Sequence, residues 1–109
     1  MIDLVRYQQD DGNCPIGDWL QRMKDKRARA QIEIRLQRLS AGNFGQCRPL
    51  RAGVMELKVD VGPGYRVYCA KHGDTLVVLL CGGDKSTQDS DIDCAIGYWK
   101  HWKQRNKTK

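Results

Sequence analysis

Alternating polar side chains in the middle of the sequence form the pattern best suited to chemistry. In residues 55–61, Met-Glu-Leu-Lys-Val-Asp-Val, apolar odd positions alternate with charged even positions. This period of two is typical of a strand with one packed face and one face open to solvent or ligand. The chain turns at residues 62–64, Gly-Pro-Gly, and returns as Tyr-Arg-Val-Tyr-Cys in residues 65–69. A loop of odd length pairs Asp60 with Arg66 and places these polar side chains on one face: Glu56, Lys58, Asp60, Arg66 and Tyr68.

Arg66 is the member of this face best suited to bind a phosphate. Its guanidinium is a planar group with five donors, and a strand holds it on a rigid element. Lys85 follows Gly82 and Gly83 after the apolar run 76–81 and can supply a second positive charge. Spacing alone equally allows an ion pair between Arg66 and Asp60 with Lys85 as an exposed loop residue, and both interpretations stay open.

Other catalytic and metal-binding patterns are missing from the sequence. It contains no P-loop, dinucleotide-binding fingerprint or nucleophile elbow. Five cysteines lie 12 or more positions apart without a Cys-x-x-Cys pair, so we expect reduced apolar thiols and no zinc site. We expect no metal and no cofactor. His72 and His101 are expected at the surface, whereas the spacing of Trp19, Trp99 and Trp102 is typical of core residues.

Composition indicates one domain over residues 1–109 and an anionic partner. Nineteen Lys and Arg against thirteen Asp and Glu give a net charge of +6. The basic residues concentrate in segments 22–38 and 100–109, which predicts two basic surfaces. The longest apolar run, 76–81, is far shorter than the ~20 residues that span a bilayer, and no secretory signal is recognisable. We therefore expect a cytoplasmic protein without a membrane partner.

The predicted elements follow the order β-α-α-β-β-β-β-α. A first strand covers residues 2–8, and a helix with Pro15 in its first turn covers about 15–24. Asp25 caps a second helix that ends at Gly42, and strands follow from residue 47, with run 76–81 as a central strand. Residues 86–89, Ser-Thr-Gln-Asp, predict a capping box before a final helix. The expected fold is α+β, with a sheet packed against a helical hairpin.

Several motifs in succession resemble the RelE/ParE toxin superfamily, in particular its HigB-like addiction-module killer proteins. They are Arg-Leu-Ser-Ala-Gly-Asn-Phe-Gly at 38–45, Met-Glu-Leu-Lys-Val at 55–59, Gly-Pro-Gly-Tyr-Arg-Val-Tyr at 62–68 and Leu-Leu-Cys-Gly-Gly-Asp-Lys-Ser-Thr-Gln at 79–88. The resemblance implies a small RelE-like fold with an antiparallel-rich sheet and a C-terminal helix. It also implies the toxin of a type II toxin–antitoxin system, neutralised by a cognate antitoxin protein.

The resemblance further implies metal-independent cleavage of mRNA on the ribosome. Arg66 and Lys85 would stabilise the phosphorane, Glu56 would act as base, and Lys58, Arg51 and Tyr68 would contact RNA. Nucleases of this superfamily usually carry a His or Tyr directly after the last strand, whereas here a long helix follows. Two alternatives therefore remain: a ParE-like poison of DNA gyrase without nuclease activity, and a non-toxic basic domain that binds nucleic acid.

Overall fold

A computed structural model describes residues 1–107, which contain five strands and three α-helices in the predicted order. The strands are β1 (Asp3–Arg6), β2 (Cys47–Pro49), β3 (Val54–Val59), β4 (Tyr65–His72) and β5 (Leu76–Asp84). The helices are α1 (Pro15–Arg22), α2 (Lys26–Ser40) and α3 (Gln88–Arg105), and a 3₁₀ turn, Lys85–Thr87, joins β5 to α3. None of the helices in residues 1–107 is long and apolar enough to cross a bilayer.

The strands form one mixed sheet in the order β1-β5-β4-β3-β2. β1 runs parallel to β5, and the other three pairs are antiparallel. The chain is thus a small α+β domain, as predicted. The apolar run 76–81 lies in an interior strand, β5, between β1 and β4, although the middle position belongs to β4 rather than to this run.

Helices cover both faces of the sheet. α1 and α2 pack on one face around Ile16, Ile32 and Leu57. α3 packs on the other face, where Trp99 of the helix and Tyr68 of the sheet belong to one buried cluster. The even-numbered side chains of β3 and β4 share a face as predicted, but that face is largely covered by α3 and is open only near Lys58 and Arg66.

The hairpin of β3 and β4 has the predicted odd loop but a different register. Lys58 pairs with Arg66, and Glu56 pairs with Tyr68. The predicted partners of Arg66 and Tyr68 lie two residues further along the chain, because the predicted turn covers the three residues 62–64 whereas the loop comprises the five residues 60–64. A shift of two residues changes cross-strand partners but preserves the face of every side chain.

Local signals fix the helix starts. The side chain of Asp25 accepts a hydrogen bond from the Ala28 N–H at 3.1 Å, the predicted cap of α2. The predicted capping box at residues 86–89 is wrong. Asp84 instead accepts from the Ser86 N–H at 2.8 Å and so caps the 3₁₀ turn.

Candidate phosphate-binding cleft

Two adjoining clefts at one end of the β3–β4 hairpin share Lys58 and Arg66. The first, of about 420 Å³, is bounded by the 60–64 loop and by Lys85. The second, of about 320 Å³, is bounded by Glu56 and Gln88 together with Arg48 of β2. The structure therefore brings together the three residues expected to be catalytic, Arg66, Lys85 and Glu56, along with Lys58.

Arg66 is the buried cation of this site. Its side chain is 11% exposed, and its Nε lies 3.6 Å from Oε2 of Glu56. Among the described residues, neither Nε nor Nη1 has a hydrogen-bond partner. Buried donors without acceptors are costly. Both nitrogens are sealed from solvent, so an anion in the cleft would meet the rest of the guanidinium and its positive charge rather than these two donors. The alternative ion pair with Asp60 is wrong, because Asp60 pairs with Lys58 at 3.5 Å.

Glu56 is buried and engaged by three side chains. Gln88 Nε2 donates to its Oε2 at 2.9 Å, Arg48 Nη2 lies 3.2 Å from its Oε1, and Arg66 completes the set. Both carboxylate oxygens therefore already have donors. This arrangement is better suited to orienting Arg66 than to accepting a proton from a substrate.

Lys85 projects from a fixed turn. It is exposed and opens the 3₁₀ turn that Asp84 caps. Hydrogen bonds from Ser86, helped by the charge of Arg66, lower the pKa of Asp84. An ionised Asp84 thus holds the turn in place, so the Lys85 ammonium starts from a rigid backbone.

Gly82 and Gly83 serve packing within β5 rather than a turn after it. A Cβ at Gly82 would collide with the Trp19 ring of α1 on one face of the sheet. A Cβ at Gly83 would collide with the Asp91 carboxylate of α3 on the other face. The pair therefore allows α1 and α3 to approach the sheet closely beside the cleft.

Two expected RNA contacts lie outside the cleft. Tyr68 is fully buried, its hydroxyl has no partner among the described residues, and burial and the nearby Glu56 raise its pKa. Arg51 forms an exposed ion pair of 2.6 Å with Asp93 of α3. Neither side chain reaches the surface that Arg66 and Lys85 share.

Sequence reasoning missed Gln88 and Arg48 as partners of Glu56. Gln88 stands in the Lys-Ser-Thr-Gln motif, but only the packing of α3 brings it to β3. Arg48 lies directly opposite Glu56 in the β2–β3 register, so a pairing of these two strands was the signal that could have found it.

A basic groove of about 610 Å³ continues from the cleft past Lys58 and along α2. Its wall contains Arg27, Arg35 and Arg38, spaced for one side of a helix. Arg35 Nη2 donates to the carbonyl oxygens of Phe44 and Gln46 at 2.6 and 2.9 Å, which fixes the opposite wall. This groove is the first of the two predicted basic surfaces.

His101 lies in a polar network away from the cleft rather than on a free surface. Its Nδ1 hydrogen-bonds the Tyr7 hydroxyl at 2.7 Å, and its Nε2 lies 3.3 Å from Asp10. Arg105 reaches the same Asp10 oxygen at 3.4 Å. The network ties α3 to the segment after β1, and burial raises the pKa of Tyr7.

The fold and this site define a small α+β domain with a cluster of cations at one end of its sheet. No family model matches the chain. An uncharacterized protein of Haemophilus influenzae is 53% identical to it over 74 residues, which cover 68% of this chain and 75% of that protein. The chain belongs to the same family as this Haemophilus protein.

Proposed function

We propose that the chain is the toxin of a type II toxin–antitoxin system, a HigB-like member of the RelE/ParE superfamily that cleaves mRNA on the ribosome. The observation that carries the proposal is the grouping of three cations, Arg66, Lys58 and Lys85, around one cleft, with Arg66 held against Glu56. Three cations around one space match the needs of a phosphodiester whose negative charge grows during reaction.

The proposed reaction is an attack by a ribose 2′-hydroxyl on the adjacent phosphate. The 2′-oxygen bonds to phosphorus, the bond to the 5′-oxygen of the next nucleotide breaks, and a 2′,3′-cyclic phosphate is left. The attacking hydroxyl gives up one proton, and the departing 5′-oxygen takes one up. The phosphorane carries extra negative charge, which the guanidinium of Arg66 would stabilise at the cleft while Lys85 approaches from the 3₁₀ turn. Glu56 would hold the guanidinium in place. Among the acids of residues 1–107 that line the two clefts, Glu56 is engaged by three donors and Asp60 is paired with Lys58. Water or groups of the ribosome would therefore carry these protons.

The convergence of separate motifs supports the superfamily assignment. Glu-Leu-Lys lies on β3, Tyr-Arg-Val on β4, and Lys-Ser-Thr-Gln after β5. All three contribute side chains to the same pair of clefts. Two helices on one face of a mixed sheet also agree with the expected RelE-like arrangement.

The proposed partner is a cognate antitoxin with an acidic segment, met in the cytoplasm. A chain of charge +6 attracts acids, and β1 and β2 are sheet edges to which an extended segment can add. Affinity should fall as salt is raised. A complex whose dissociation is insensitive to salt contradicts the electrostatic part of this proposal.

A ParE-like inhibitor of DNA gyrase is the second candidate, and one observation favours it. No histidine or accessible tyrosine hydroxyl of residues 1–107 lines the two clefts, since Tyr68 is sealed in the core. A gyrase inhibitor needs no acid or base of its own, so a cleft without these groups is compatible with that function.

Expression of the chain in bacteria tests both candidates. Induction should arrest growth, and co-expression of the protein encoded beside it should restore growth. Primer extension during arrest should then map new in-frame 5′ ends in messages if the ribosome is the target. Double-strand breaks and a DNA-damage response with intact messages would select gyrase instead. A folded chain that is harmless at high expression contradicts the toxin proposal altogether.

A further inference from the structure

A second basic surface lies at the other end of β4, on the outer layer formed by α3. A groove of about 460 Å³ is lined by His72, Trp102 and the lysines Lys100, Lys103 and Lys107, which we call the α3 patch. Within residues 1–107, no acidic side chain lines it. The predicted basic segment 100–109 is thus a surface in the structure, although residues 108–109 lie outside the described part.

The aromatic side of the α3 patch is held rigidly. The Trp102 ring stacks on the buried Trp99 with centroids 5.4 Å apart and an angle of 15°. The His72 ring meets Trp102 edge-on at 5.0 Å. Trp102 is therefore a fixed platform, partly buried yet lining a groove, whereas its spacing alone predicted a core residue.

The lysines flank this platform in one stripe. Lys100 and Lys103 are one turn apart on α3, and Lys107, in the turn after the helix, lines the same groove. Like charges this close repel one another, and Lys103 already lies over the Trp99 ring at 5.2 Å. A ligand with several negative charges removes that repulsion.

We propose that the α3 patch binds single-stranded nucleic acid, with a base against Trp102 and His72 and the phosphates along the lysine stripe. Aromatic platforms beside cations are the shared chemistry of such sites, because every base has a flat face and every linkage a charge. The groove lies roughly 20 Å from Arg66, six strand residues away along β4. The α3 patch is therefore separate from the cleft and does not require cleavage there.

The binding test uses the full chain carrying Arg66→Ala, so that RNA stays intact and the cleft contributes little. Fluorescence anisotropy measures the affinity for a labelled 12-nucleotide oligouridine over a range of salt concentrations. Lys100→Gln with Lys107→Gln should weaken binding and reduce the slope of log affinity against log salt by about 1.4, since each contact to single strands contributes about 0.7. The matched control, Arg22→Gln with Arg29→Gln, removes the same charge from exposed positions outside the groove along α2 and should leave the slope unchanged.

Stacking is tested from both partners. Trp102→Leu should lower affinity by about 5- to 150-fold, the range for losing one stacked base. An abasic 12-mer with the same phosphates should bind the unaltered patch correspondingly more weakly and leave tryptophan fluorescence unquenched. The abasic ligand keeps the test decisive even if Trp102→Leu fails to fold.

Three results overturn the proposal. Equal affinity for the oligouridine and its abasic analogue removes the base-stacking role. An equal loss in the Arg22/Arg29 control shows only general attraction to charge. The third result concerns phosphatidylglycerol vesicles. If the Lys100/Lys107 change abolishes binding to these vesicles but leaves oligouridine binding intact, the α3 patch is a membrane-binding surface. The toxin proposal is tested separately, by the growth arrest that the protein with unaltered Arg66 causes.

Discussion

Replacing Arg66 with alanine is the substitution that most directly tests the cleft. The change removes a guanidinium that is 11% exposed, together with its 3.6 Å contact to Glu56. Glu56 keeps its partners Arg48 and Gln88, so its charge is not left unpaired. Two buried donors that lack partners also disappear. These opposing effects should lower the free energy of unfolding by only about 1–2 kcal/mol, measured by urea denaturation.

The effect on cleavage should be far larger than the effect on stability. A preorganised donor to developing negative charge is worth roughly 10²- to 10³-fold in rate, or about 3–4 kcal/mol. The assay is single-turnover cleavage of mRNA on programmed ribosomes, with the antitoxin removed. Arg66→Lys should keep part of the activity, because a lysine retains the charge but loses the planar fork.

Full cleavage and full toxicity from a stably folded Arg66→Ala protein would refute this reasoning. The contact of Arg66 with Glu56 would then serve folding alone, and the gyrase candidate would take precedence. A large loss of stability beside a small loss of rate would equally contradict the proposed role, since it would show that the Glu56 contact dominates.

Three further outcomes follow from the described contacts. Glu56→Gln should reduce the cleavage rate by no more than about tenfold and leave the pH–rate profile unshifted, as expected of a positioning residue. If the variant instead loses the acidic limb of that profile, Glu56 is the base. Arg38→Glu, in the groove along α2, should weaken RNA binding and its salt dependence, while Arg29→Glu, exposed on the same helix but outside the groove, should change binding little. Burial raises the pKa of the Cys69 and Cys81 thiols from 9.0 to about 12. Between these two pH values both thiols stay neutral in the folded protein, whereas they ionise in the unfolded chain. The free energy of unfolding should therefore fall as pH rises above about 9, and stability constant from pH 8 to 11 in urea titrations would contradict this.

Periodicity was sufficient to predict the order of the elements. The apolar stripe of α2, its cap at Asp25 and the alternation in β3 are local patterns, and each led to the element found. The shared face of Glu56, Lys58 and Arg66 followed from loop parity. The register of β3 and β4 could not be predicted in this way. Asp60 belongs to the turn, although its charge continues the alternation of the strand.

Packing between distant segments accounts for what the sequence left open. Alternation along β3 marks a polar face, but it carries no information about which helix covers that face. α3 does so, burying Tyr68 and bringing Gln88 to Glu56. The link between Tyr7 and His101 spans 94 positions and likewise has no local signal.

The pairing of β1 with β5 has a consequence for how the chain folds. Asp3 pairs with Leu76, whereas β2 to β5 are joined to their neighbours by short loops. Closing the long loop between β1 and β5 costs more chain entropy than forming the meander, so the meander can form first and offer β5 as an edge. Docking of β1 is then a late step that closes this edge. Until it occurs, the exposed side of β5, one of the most apolar strands of the protein, is the part of the folding chain most prone to pair with another molecule.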